Sequence, residues 1–79
     1  MVGLFTVGRC RIPLLLKKRR MLQRELAELT GLTSQYISDK CNNRGTMRID
    51  HAMTIAHVLG CTIEELYEWK RSSTHKNGR

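Results

Sequence analysis

Seventy-nine residues allow one domain with a small core, and 41% apolar residues with 5% aromatics and a single proline disfavour a strand-rich sandwich or barrel. Fourteen Lys and Arg against seven Asp and Glu leave a formal charge of +7, a surplus that suits a polyanionic partner. Cysteines 10, 41 and 61 are odd in number and follow no paired motif, which argues against a disulfide framework and for a reducing, cytoplasmic setting.

Residues 1–9 hold Val2, Leu4, Phe5 and Val7 in rough alternation between glycines, so they read as an N-terminal arm, extended or disordered. Such an arm can fray or add a strand across a dimer. Its apolar run is too short to span a bilayer and has no positive charge ahead of it, so neither export nor membrane insertion is expected.

The domain proper is expected over 10–70. A first helix runs from Pro13 to Arg20, with proline in a tolerated first-turn position and Ile12, Leu15 and Leu16 facing inward. A second runs from about Gln23 to Thr30, where Leu22, Leu26 and Leu29 share a face, Ala27 offers a close-packing point and Gly31 ends the helix. Thr33 is the natural N-cap of a third helix reaching about Asn42, and 42–45 form a turn. A fourth starts near Ile49, turns Ala52, Ile55, Ala56 and Leu59 to the core and stops at Gly60. Thr62 and Glu65 form a capping box that predicts a fifth helix from Ile63 to about Lys70, with Ile63, Leu66 and Tyr67 closing the core. The tail 71–79 is polar and basic and is expected to be disordered. The fold class is therefore all-α, a compact five-helix bundle.

Residues 23–43 carry the functional signal: two short helices, a glycine turn, a small residue at their approach. This is a helix-turn-helix pattern. On the third helix, periodicity turns Ile37 and Cys41 inward, while Ser34, Gln35, Ser38, Asp39 and Asn42 form a row of short hydrogen-bonding groups suited to base edges in a major groove. Gln35 is the strongest reader, since an amide can both donate to and accept from adenine. Ser34 suits several bases. Asp39 either accepts from a cytosine amino group or holds a neighbouring cation. Gln23 begins a helix whose free N–H groups favour phosphate, and Arg44 and Arg48 stand where long cations clamp a backbone. Of the run 17–20, one or two residues can touch phosphate.

The strings QRELAELTGLTSQYIS and IAHVLGCTIEELYEW resemble the Cro-like and phage-repressor helix-turn-helix family, also called the xenobiotic-response-element family, over Ile12 to about Trp69. The resemblance implies a lambda-repressor-like five-helix domain with its third helix in the major groove, often as a homodimer on a two-fold operator. It puts Ser34, Gln35 and Asp39 on base-reading positions, Gln23 on a phosphate-contacting one, and Asn43 and Arg44 in the loop that meets the DNA backbone. Four positions depart from the family pattern. Arg20 stands for a usual Gly, Leu22 for a usual capping Thr, and Arg48 for a usual N-cap Ser, leaving Asp50 to favour that helix start. Lys40 replaces an apolar residue and can bury its stem while lifting its ammonium to solvent or phosphate.

Cys41, His51, His57 and Cys61 match no zinc spacing, and no nucleophile or phosphate loop accompanies His57 and Glu64 or Glu65, so neither a metal, a cofactor nor catalysis is expected. The expected activity is sequence-specific binding of double-stranded DNA to regulate transcription, most simply as a repressor that is nucleoid-associated when bound. Two other readings remain: a helix-turn-helix domain that binds protein, as an antirepressor or antitoxin does, and a non-specific packaging protein.

Overall fold

The computed structural model describes residues 4–71. Within them four α-helices, α1 (Ile12–Arg19), α2 (Gln23–Thr30), α3 (Ser34–Cys41) and α4 (Ile49–Leu59), are followed by a 3₁₀ turn over Ile63–Leu66. Strands β1 (Phe5–Cys10) and β2 (Tyr67–Arg71) pair antiparallel in a two-stranded ribbon that joins the two ends of the described chain.

The core is the meeting of one narrow stripe from each helix. Ile12, Leu15 and Leu16 of α1, Leu26 and Ala27 of α2, Ile37 of α3, and Ala52, Ile55, Ala56 and Leu59 of α4 are buried, with Leu66, Tyr67 and Cys10 closing the end. Fully burying an aliphatic side chain contributes roughly 1.5–3 kcal/mol, so these few residues carry most of the cohesion. Leu22 and Leu29, expected inward, are instead 54% and 62% exposed. Leu22 is the N-cap, with extended rather than helical backbone, so helical spacing does not set its direction. The buried side of α2 is centred between Leu26 and Ala27, which turns Leu29 away from it.

The expected fifth helix is not formed. Thr62 does start a helical turn: its N–H donates to Glu65 Oε1 at 2.8 Å and its hydroxyl to the same oxygen at 3.1 Å. After Leu66 the chain becomes extended, and Tyr67 to Arg71 take partners on β1 with Phe5 opposite Arg71, Thr6 opposite Lys70, Val7 opposite Trp69 and Cys10 opposite Tyr67. The all-α five-helix class therefore gives way to four helices and a ribbon. The boundary expected at residue 9 falls inside β1. Of the expected disordered tail, Arg71 is the last residue of β2 and 72–79 lie outside the described residues, as do 1–3 of the arm.

The ladder slips between Val7 and Cys10, and Gly8 is the residue that allows it. A Cβ there would stand 2.7 Å from the Glu68 carbonyl oxygen, closer than any side chain tolerates.

Candidate nucleic-acid interface

Helices α2 and α3 are joined by Gly31, Leu32 and Thr33. Gly31 is left-handed (φ 78°) and donates its N–H to Ala27 O at 2.9 Å, ending α2. Leu32 packs against the core, and Thr33 Oγ1 accepts from Tyr36 N at 3.0 Å, starting α3. Glycine at the left-handed position and threonine at the cap each satisfy a local requirement, so the joint is fixed by its own residues.

Ile37 is fully buried and holds one side of α3 against the core, with Cys41 packed beside it. Burial, then the neighbouring Cys10 thiol, push the Cys41 thiol up to about 11. The opposite side is polar. Ser34 and Gln35 are exposed, and Ser38 and Asp39 are half-buried. Gln35 Nε2 donates to Asp39 Oδ1 at 2.8 Å, and Asn42 Nδ2 to Ser38 Oγ at 3.5 Å, so the row is internally braced. The Gln35–Asp39 bond uses one amide hydrogen. The second hydrogen and the carbonyl oxygen of Gln35 remain, the pair a bidentate contact with adenine uses.

Around this face the cations take distinct positions. Arg44, 73% exposed at its side chain, lies 3.9 Å from Asp39, so Asp39 faces both its amide neighbour and a cation. Lys40 Nζ sits 4.9 Å from the Tyr36 ring centroid and donates to Arg44 O at 3.0 Å, anchoring the end of the helix. Arg48 forks onto Asp50 at 3.0 and 3.2 Å, while Asp50 Oδ1 accepts from His51 N at 2.9 Å, so Asp50 supplies the start of α4 with the oxygen that Arg48 lacks. Gln23 is the first residue of α2 and exposed.

Asn43, expected in the loop that meets DNA, also has an internal task that the sequence reading missed. It is left-handed (φ 62°), and its Oδ1 accepts from Cys10 N at 2.7 Å. Met47 N donates to the Tyr67 hydroxyl at 3.0 Å. The loop after α3 is thus held by both strands of the ribbon. Tyr36 was overlooked as well, although its spacing of four from Lys40 is a helical neighbour signal. Its ring meets His51 edge-on at 4.9 Å and backs α3 against α4.

Taken together, a glycine-jointed helix pair whose second member turns a braced polar row outward, on a chain of charge +7, defines a helix-turn-helix DNA-binding protein of the transcriptional-regulator class. More narrowly, the chain belongs to the Cro/C1-type HTH DNA-binding domain family, whose model matches residues 11–72. It is 42% identical over 67 residues to YopS of Bacillus subtilis (strain 168), a prophage-derived HTH-type transcriptional regulator, covering 81% of this chain and 88% of that protein. It is 48% identical over 46 residues to YotL of the same organism, covering 57% of this chain and 58% of YotL. Among solved structures, the biofilm regulator SinR in complex with DNA matches at a TM-score of 0.67 and 26% identity, covering 71% of this chain and 90% of SinR. The regulator VanUg matches at 0.67 and 19% identity over 91% of this chain and 93% of VanUg, a likeness of fold. No helix among the described residues is long and apolar enough to cross a membrane.

Proposed function

We propose that this protein is a sequence-specific repressor that lays α3 in the major groove of double-stranded DNA and occupies a two-fold operator as a homodimer. Ser34, Gln35 and Ser38 read base edges, and Asp39 braces Gln35 besides offering an acceptor of its own. Gln23 at the start of α2, with Lys40, Asn43, Arg44 and Arg48 around the exit of α3, contacts phosphates. Lys40 and Asn43 do so from positions already fixed by internal hydrogen bonds, Lys40 through its remaining ammonium hydrogens and Asn43 through its amide nitrogen.

The observation that carries this reading is the Gln35–Asp39 hydrogen bond on the outward side of a capped helix. It pre-orients the amide, and an oriented reader loses less side-chain freedom on binding. The solved complex of the similar protein SinR with DNA lends the reading further support.

Selection of bound sequences from a randomised duplex pool, at two salt concentrations, tests it. Wild type is expected to enrich a motif, and Gln35→Ala to relax one position by about 1–3 kcal/mol while the salt slope stays. Purely salt-driven binding without a motif would favour packaging, and no binding near physiological salt would favour a protein partner.

A further inference from the structure

The ribbon carries an apolar face that the core leaves uncovered. Val7 and Trp69 are register partners and Phe5 lies two residues from Val7, so the three share one face, at 40%, 44% and 64% exposure, with Arg71, the partner of Phe5, beside them and its guanidinium 5.7 Å from the Phe5 ring centroid. Phe5, Glu64 and Trp69 line a groove of about 330 Å³. With two strands among the described residues, each strand has a second edge that no other described strand pairs. The bulge at Gly8 and Arg9 distorts the edge of β1, whereas β2 runs without one.

The sequence of β2, Tyr-Glu-Trp-Lys-Arg, is complementary to itself in one register. Placed antiparallel to a copy about Trp69, Glu68 faces Lys70 of the second chain, Lys70 faces Glu68, and the two Trp69 rings meet on the apolar face. A slip that centres the pairing on Glu68 sets two carboxylates opposite each other, and one that centres it on Lys70 sets two ammonium groups opposite. Like charges in directly facing positions destabilise a ladder.

We infer that β2 pairs with β2 of a second copy of this chain, antiparallel about Trp69, to form a four-stranded sheet with Phe5, Val7 and Trp69 of both copies on one face. This names the surface of the homodimer proposed above and rests on that part of the reading alone. Because Cys10 and Tyr67 of the ribbon bond to the loop after α3, the sheet also sets how the two recognition helices face each other.

The test is sedimentation equilibrium of the full chain without DNA, over a concentration series, for wild type, Glu68→Lys, Lys70→Glu and the double exchange. Wild type is expected to dimerise. Each single reversal turns two attractive pairs into two repulsive ones and is expected to weaken the dimer about tenfold, and the double exchange to restore it. Net charge alone predicts otherwise: Glu68→Lys takes +7 to +9 and weakens association, while Lys70→Glu takes +7 to +5 and strengthens it. Unchanged far-ultraviolet circular dichroism spectra and the recovery in the double exchange separate pairing from misfolding. A wild type that stays monomeric to its solubility limit, single reversals that dimerise as well as wild type, or a double exchange no tighter than the singles would overturn the inference. The same four proteins in the duplex selection keep the two readings apart, since a motif from a monomer sinks only the edge pairing, and a charge-dependent dimer without a motif sinks only the DNA reading.

Discussion

The joint into α2 and the joint into α3 trace one backbone path with different residues. Each has a left-handed residue, Arg20 (φ 56°) or Gly31 (φ 78°), then a half-buried apolar residue, Met21 or Leu32, then an extended N-cap, Leu22 (φ −87°, ψ 155°) or Thr33 (φ −79°, ψ 154°). At the second joint the residues favour the path: glycine tolerates the left-handed region and the threonine hydroxyl caps the helix. At the first they oppose it. Arginine pays a steric cost at positive φ, and leucine has no oxygen to offer, so only the returning half of a capping box is present, Leu22 N to Glu25 Oε1 at 2.8 Å. The first joint is held by its surroundings, through Met21 on the core and the bond from Met21 N to Leu16 O at 2.9 Å. The joint that positions α3 is the one the chain encodes locally.

The comparison can be broken most severely at Gly31. A Cβ there meets nothing within 4 Å, so Gly31→Ala tests backbone conformation alone and is expected to cost about 2 kcal/mol in denaturant unfolding, with a matching loss of DNA affinity. Arg20→Gly makes the two joints alike at their first position and should raise stability by about 1 kcal/mol. A loss instead would mean that the arginine side chain supports the joint. Exchanging the caps sharpens the contrast further: Thr33→Ala should lose about 1 kcal/mol, and Leu22→Thr should gain somewhat less, because Glu25 already serves that terminus. Unfolding midpoints of the two variants, measured side by side, check the opposite signs.

A third copy of the path, Gly60, Cys61 and Thr62, leads to the 3₁₀ turn and gives the smallest effect. The Thr62 N–H and hydroxyl hold the Glu65 carboxyl below its ordinary value of 4.5. A carboxyl lowered in the folded state adds stability above its unfolded pKa, and loses it as pH falls through the folded value. Glu65→Gln should therefore flatten the acid side of a stability–pH curve and leave the alkaline side unchanged.

Those three paths also explain what could be read from the sequence. Gly31, Thr33, Gly60 and Thr62 are local signals, so the end of α2, the start of α3 and the end of α4 follow from neighbouring residues. Ile37 and the α4 stripe followed from helical spacing, and both are buried as expected. The capping box at Thr62 was equally legible but misleading. A cap starts a turn and does not set its length, and Tyr67 to Arg71 found partners on β1 that no local pattern reveals. Tyr67 and Trp69, aromatic and two apart, were the strand signal available. In the site, the outward row of α3 was legible from periodicity. The Asn43 bond to Cys10 was not, since it depends on where a strand thirty-three residues away in sequence comes to lie.

The ribbon also orders events in time. Thr6 and Lys70, bonded across it, are 64 positions apart in the chain, and all four helices of the described residues lie between them. β1 precedes the four helices and β2 follows them, so packing of the helices is what brings the two strands within reach of each other. Closing the ribbon is therefore expected to be the most non-local step of folding, and to follow the packing of the helices rather than lead it.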